Sequence, residues 1–222
     1  YAFNLGCDGA EDVVNIYNKD PNADFHDIVS KIANISRTNA KTINLGLLYG
    51  MGVKKLAEEL KFDKDLVKDF LAKFHKQIPF IKDLSNRVSQ YANSTGYVAT
   101  LKGRKCRFEL WEPTSFGVFK ALPYDQAKEK YGRHHALQRA GTYKALNRLI
   151  QGSAADQTKQ AMVDLYNEGI VPLVQIHDEL TLSFDGKKET KNKIIDIMTN
   201  CVKLAVPSKV DCETGKSWGD AS

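Results

Sequence analysis

Four residues spaced by four, Arg37, Lys41, Leu45 and Tyr49, place the tightest constraint on how this chain can fold. On an α-helix such positions form one slightly drifting stripe, and the same helix turns Ile43 and Leu47 elsewhere, toward a core. The polar stripe therefore faces something other than the interior. With Ser36 as N-cap, Arg37 and Lys41 fall in the first two turns, where the positive end of the helix dipole disfavours a cation by roughly 0.3–1 kcal/mol. Two cations there make sense if an anion comes to them. Backbone N–H groups, a helix end and two long cations one turn apart describe a polyphosphate site. An exposed amphipathic helix with two solvated cations satisfies the same pattern.

At 222 residues the chain can bury a substantial core, as one large domain or two small ones. Its net charge of +5 agrees with a polyanionic partner without establishing one. Cys7, Cys106, Cys201 and Cys212 form no C-x-x-C pair and have no His at ligand spacing, which argues against a zinc site or a disulfide framework. No apolar run approaches the roughly 18 residues of a membrane span, and Tyr1-Ala2-Phe3-Asn4-Leu5 is no basic signal-peptide region. A soluble, intracellular protein is expected. A first residue of Tyr rather than Met suggests a piece excised or processed from a longer chain.

Taken in order, 1–17 reads as helix with weak points at Gly6 and Gly9, followed by a turn cluster at Asn18-Lys19-Asp20-Pro21-Asn22. Asp24 is a good cap for a short helix with His26 in its first turn. A lone His is more often a packing or surface residue, but this one lies close in sequence to Arg37 and Lys41. Gly50-Met51-Gly52 ends the central helix, a short basic helix follows over 53–60, and Leu66, Phe70, Phe74, Ile78, Ile81, Leu84, Val88 and Tyr91 predict a long amphipathic segment kinked at Pro79. Residues 96–101 read as a strand, Lys102-Gly103-Arg104-Lys105 as a basic turn able to touch a phosphate backbone, and Cys106 to Phe108 as a second strand. Residues 111–124, with Pro113, Gly117 and Pro123, read as a loop, and 125–169 as mostly helix. Within it, Arg133-His134-His135 lacks metal-ligand partners and reads as solvated, while Asn147 and Gln151 share a helix face. Uncharged amides on one face can read a duplex minor groove, or simply coat a surface.

The second informative stretch runs from Val171 to Phe184. Apolar residues flank His177-Asp178-Glu179, and Leu180, Leu182 and Phe184 alternate with Thr181 and Ser183, which predicts a hairpin with two carboxylates at its tip. A tight turn would favour Asn-Gly or Asp-Gly, so Asp178-Glu179 is not there for turn geometry. Adjacent carboxylates repel, and a divalent cation such as Mg²⁺, bound together with substrate phosphates, offsets that repulsion. A solvated acidic turn is the alternative. A phosphate-binding helix and a carboxylate hairpin in one chain are what metal-assisted phosphoryl or nucleotidyl transfer needs.

These residues also carry a family resemblance. Arg37, Lys41, Tyr49 and Gly50 are spaced as in the fingers-helix motif B of family A, polymerase I-like DNA polymerases, and Gln175-Ile176-His177-Asp178-Glu179-Leu180 resembles their palm motif C. Gln151-Gly152-Ser153-Ala154-Ala155-Asp156 is similar to the helix preceding motif C, and Leu204-Ala205-Val206-Pro207 through Gly215-Lys216-Ser217-Trp218 to the final strand and tail. The resemblance spans nearly the whole chain and is strongest to phage-type members. It implies an α+β fold, with a helical fingers subdomain over 1–84 and, over 85–222, the rest of the fingers and a C-terminal palm with a small antiparallel sheet.

The resemblance also implies roles. Lys41 would contact the triphosphate and help pyrophosphate leave, with Arg37 and His26 on the outer phosphates. Tyr49 and Gly50 would sit at the insertion site, with Leu45 on the stripe facing the incoming sugar. Asp178 would be one of two catalytic metal-binding aspartates for Mg²⁺, Glu179 would lie near the primer end, His177 against the primer backbone, and Asn147 and Gln151 in the minor groove of the primer-template. The single-subunit RNA polymerases share the Lys and Tyr-Gly spacing, but their palm motif ends in His-Asp-Ser, so Glu179 favours DNA synthesis from dNTPs. A bacterial or phage-infected host cytoplasm is the implied location.

Two departures qualify the match. Leu45 stands where the family usually has a bulky aromatic, which bears on sugar discrimination. No Asp-x-Ser-x-x-Glu segment, the family's motif A, occurs in the sequence, and nothing matches the thumb, the first palm strands or a 3'-5' exonuclease domain. The chain alone is not expected to polymerise, because a two-metal site needs both carboxylates. The expectation is a polymerase component that requires an N-terminal portion carrying motif A; a non-catalytic DNA-binding or accessory module is the alternative.

Overall fold

A computed structural model describes the chain apart from residues 21, 34, 49, 50, 116 and 222, and the backbone alone at 32, 33 and 48. The first half is helical: α1 is Ala10–Lys19, α2 Phe25–Ala33, α3 Arg37–Leu48, α4 Val53–Leu60, α5 Lys64–Gln77 and α6 Pro79–Thr95. Most boundaries have a local cause. Gly6 and Gly9 take positive φ of 61° and 74°, so the helix expected from Tyr1 begins only at Ala10. Asp24 accepts from the His26 and Asp27 backbone N–H groups at 2.6 and 3.2 Å and caps α2, and Ser36 Oγ accepts from Asn39 N at 3.2 Å to cap α3. Pro79 ends the long apolar run of α5 and opens α6 at a position that needs no N–H, so the expected kink is a full break.

Among the described residues the strands are short and pair antiparallel in three two-stranded sheets: β1 (Tyr97–Ala99) with β2 (Lys105–Arg107), β3 (Trp111–Pro113) with β4 (Leu137–Arg139), and β5 (Pro172–Ile176) with β6 (Glu179–Leu182). The β3–β4 pair corrects two expectations. Residues 111–124 are not only loop, and the helix expected from Asp125 is interrupted: α7 (Tyr124–Tyr131) stops and the chain turns back so that Trp111 faces Arg139. Arg139 ties this pair down, donating to Phe108 O at 2.9 Å and Asn93 O at 3.2 Å and stacking 4.7 Å from the Trp111 ring. Gly96 has φ of 83°, which favours glycine, and a Cβ there would come within 2.8 Å of the guanidinium and have to displace it. His135 is not simply solvated, since its Nδ1 lies 3.0 Å from Ser115 Oγ and its ring packs on Phe119. The long helix α8 (Ala145–Asn167) and α9 (Lys188–Asn200) complete the regular structure; 204–217, expected to hold a final strand, contains none among the described residues.

The chain divides into two compact units, Tyr1–Glu11 with Asp24–Ile150, and Asp12–Ala23 with Gln151–Ser222. The first holds three apolar cores. One gathers Leu84, Val88 and Ala92 of α6 with Val98, Phe108 and Leu146; a second joins Val29, Ala40, Phe74 and Ile78; a third joins Ile43, Leu56, Leu60 and Val67. Each fully buried Ile, Leu or Phe is worth about 1.5–3 kcal/mol, so the helix carrying Arg37 and Lys41 is anchored from behind. Gly46, also on α3, allows α4 to approach: a Cβ there would meet Leu56 Cδ1 at 3.2 Å. In the second unit Ala161, Leu165 and Ile194 are buried, but β5 exposes Leu173 and Val174. No described helix is long and apolar enough to cross a membrane.

Candidate functional site

The α2–α3 pair forms the first candidate site. Along α3, Ala40, Ile43 and Asn44 are buried and Leu47 half-buried, while Arg37, Lys41 and Leu45 are exposed, Leu45 at 38%. The expected stripe is therefore present as far as Leu45; Tyr49 and Gly50 lie outside the described residues. Arg37 and His26 are brought together through Asp24. That carboxylate caps α2 and pairs with Arg37 Nη2, while Arg37 Nε lies 3.1 Å from Asp27 Oδ1. The Arg37 guanidinium holds the Asp24 carboxyl below the usual range, with the Asp27 and His26 N–H groups adding to the effect. Asp24 in turn raises the Arg37 pKa.

This modifies the charge argument at the helix start. The anion facing Arg37 is supplied by the chain itself, from Asp24 and Asp27. Lys41 is different, for it is exposed and forms no hydrogen bond or ion pair among the described residues. His26 is half-buried, with Nδ1 2.9 Å from Nδ2 of Asn44. Sequence reasoning did not single out Asn44. Its signal was a polar residue at the fourth position after Ala40 and next to Ile43, inside the apolar stripe.

The second candidate site is the β5–β6 hairpin. Ile176 pairs with Glu179, so the two-residue turn is His177-Asp178, and Glu179 is the first residue of β6 rather than part of the tip. His177 takes φ of 54°, a left-handed conformation that costs a non-glycine residue about 1 kcal/mol or more. The Gln175 side chain donates to His177 O and steadies that turn. Asp178 is exposed, and Glu179 Oε1 accepts from Trp218 Nε1 at 3.0 Å. Glu179 is thus engaged by the chain's last turn, whereas Asp178 is open.

No group of three or more His, Cys, Asp or Glu residues able to hold a metal ion occurs among the described residues. One exposed carboxylate suits a hard cation that keeps most of its water, so Asp178 fits as one ligand of such a site. On α8, Asn147 is half-buried and Gln151 exposed, four residues apart. Arg148 between them donates to Arg107 O at 3.4 Å and stacks 4.8 Å from the Phe108 ring, a packing role. In the β1–β2 turn Lys102 and Arg104 are exposed, and Lys105 Nζ sits 4.4 Å from the Tyr97 ring centre. His26, Arg37, Lys41, Leu45 and Asn147 belong to the first unit, and Gln151, His177, Asp178 and Glu179 to the second.

The family described as DNA polymerase family A matches residues 11–220, and the chain belongs to it. A DNA-directed DNA polymerase of Pseudomonas phage M6 is 36% identical over 237 residues, covering 91% of this chain and 32% of that protein. The thermostable DNA polymerase I of Thermus filiformis is 31% identical, covering 83% and 21%. Among solved structures, the POL domain of Pol1 from M. smegmatis, in complex with DNA primer-template and dNTP, superposes with a TM-score of 0.74 at 27% identity, over 94% of this chain and 36% of that one. The chain spans about a third or less of the length of these relatives.

Proposed function

We propose that the chain is the fingers and C-terminal palm component of a template-directed DNA polymerase that transfers a nucleotide from a dNTP to a primer 3'-OH. The observation that carries this reading is α3, which presents Lys41 on an open face while its opposite face is locked into core. In the reaction the primer 3'-oxygen attacks the α-phosphorus and pyrophosphate leaves. Lys41 neutralises charge building on the departing phosphates, with His26 and, when it exchanges its carboxylate partners for phosphate, Arg37 beside it. Tyr49 and Gly50 bound the insertion site, and Leu45 faces the sugar. Asn147 and Gln151 contact the minor groove of the primer-template, and His177 its primer backbone.

Asp178 is the residue of this chain that would hold Mg²⁺, which when bound supplies Lewis-acid stabilisation of the reacting oxygens. Glu179, held by Trp218, borders the primer end. The second aspartate of a two-metal site, the thumb and the remaining palm come from another segment or chain, and the exposed Leu173 and Val174 of β5 are suited to packing against it. The assembly would work in a bacterial or phage-infected cytoplasm. A binding module without chemistry would have no need of the open Asp178 carboxylate.

Primer extension in Mg²⁺ with the chain alone and then with a motif A-bearing polymerase portion tests the reading. Extension only in the mixture is expected; none in either overturns it. Leu45 gives a finer test. Leu45→Phe and Leu45→Tyr are expected to alter dideoxynucleotide acceptance and extension speed, and identical incorporation profiles for all three proteins would remove Leu45 from the sugar contact.

A further inference from the structure

The buried stripe of α3 contains one residue that a purely apolar face would not choose. Asn44 is 2% exposed, between Ala40, Ile43 and Leu47, and its Oδ1 is buried with no hydrogen-bond partner among the described residues. Burying a carboxamide with its acceptor unmet is unfavourable unless the other end of the group does something an aliphatic side chain could not. That other end lies 2.9 Å from His26 Nδ1. An amide N–H only donates, so the imidazole that matches this orientation of the carboxamide is the one whose facing nitrogen accepts. Such a ring carries its proton on Nε2, on the side away from Asn44.

We propose that Asn44 is a positioning residue for His26: its amide fixes the neutral Nε2–H tautomer and so presents an N–H donor to a phosphate oxygen of the incoming nucleotide. The phosphate half of this proposal rests on the function proposed above. The tautomer half does not. An Nδ1–H tautomer would place a bare acceptor nitrogen on the far side of the ring, where it would repel a phosphate oxygen. Asn44 therefore selects the ring form able to bind the anion. The same bond links α2 to α3 beside an apolar core, so His26 is oriented by Asn44 rather than by a hydrogen bond to Lys41 or Arg37 among the described residues.

The test is a long-range ¹⁵N–¹H spectrum of the 222-residue chain with labelled histidine, at a pH where imidazoles are neutral, with His26 assigned by His26→Gln. The expected spectrum shows Nε2 protonated and Nδ1 bare. Asn44→Asp, which offers only acceptor oxygens, is expected to draw the proton to Nδ1, and Asn44→Leu to leave the two tautomers mixed. A native Nδ1–H tautomer, or one unchanged in both variants, overturns the proposal; the native spectrum decides even if a variant fails to fold. Titration with Mg-dGTP supplies the second arm: Asn44→Leu and His26→Gln are each expected to weaken binding about tenfold, and the double variant no further. A correct tautomer with unchanged dGTP binding in both variants overturns the phosphate role of His26, and a wrong tautomer with weakened binding in His26→Gln overturns the role of Asn44.

Discussion

The α2–α3 pair and the β5–β6 hairpin present their functional groups from opposite kinds of support. Arg37, Lys41 and Leu45 stand on a helix whose reverse side is sealed, with Ile43 only 1% exposed. Asp178 stands on a two-stranded ribbon whose Leu173 is 62% exposed. An isolated two-stranded hairpin is marginal in water, and three or more strands or a covering element are needed for independent stability. The helix that carries Lys41 is thus backed by core within this chain, while the carboxylate hairpin has apolar surface suited to further cover. A helix satisfies its own backbone hydrogen bonds and needs only a stripe of neighbours, whereas a strand depends on a neighbouring strand for its hydrogen bonds and on cover for at least one face.

The contrast can be broken by mutation, and the largest effect is expected at Lys41. In a reconstituted mixture Lys41→Ala should lower single-nucleotide incorporation by on the order of 10³, with the thermal midpoint unchanged, because the side chain is exposed and unpaired among the described residues. Next comes a difference in stability. Phe74→Ala empties a core position behind α3 and should cost about 3 kcal/mol in urea unfolding, whereas Leu173→Ser on the hairpin should change stability by no more than about 0.5 kcal/mol. Equal losses would show that the hairpin is as well buried as the helix.

The smallest expected effect is one of pH. Burial pushes the His75 imidazole on α5 below its ordinary value, with Lys82 adding to the shift. A depressed pKa means that the unfolded chain takes up more protons, so this contribution is present above about pH 6.5 and lost as pH falls through the folded value. In the second unit two shifted groups are carboxyls: Lys193 depresses Glu168, and the Lys187 backbone N–H and Thr190 depress Asp185. Their contributions persist until pH falls below about 4. Hydrogen exchange between pH 7 and 5 should therefore show protection falling in the first unit and holding in the second, and His75→Gln should flatten the difference.

Much of the first region was legible because helices are local. The caps Asp24 and Ser36 and the stripe through Leu45 follow from residues within a few positions of one another, whereas Pro79 was read as a kink where it fully separates two helices. Asn44 escaped notice because its partner, His26, is on another helix, and the only local sign was polarity in an apolar row. The strands were harder to read for the same reason. Trp111 pairs with Arg139 across an intervening helix, so nothing near either residue announced β3 or β4. In the hairpin the alternation predicted both strands but placed Glu179 in the turn, since the pattern does not reveal that His177 takes the left-handed conformation.

The proposed function turns on Asp178 as one half of a metal site completed from elsewhere. Primer extension in Mg²⁺ by this chain mixed with a motif A-bearing portion, comparing the native protein with Asp178→Asn, tests that role. Extension by the native mixture and none by the variant mixture is expected, with both chains folded alike. Equal extension by the two mixtures would contradict it.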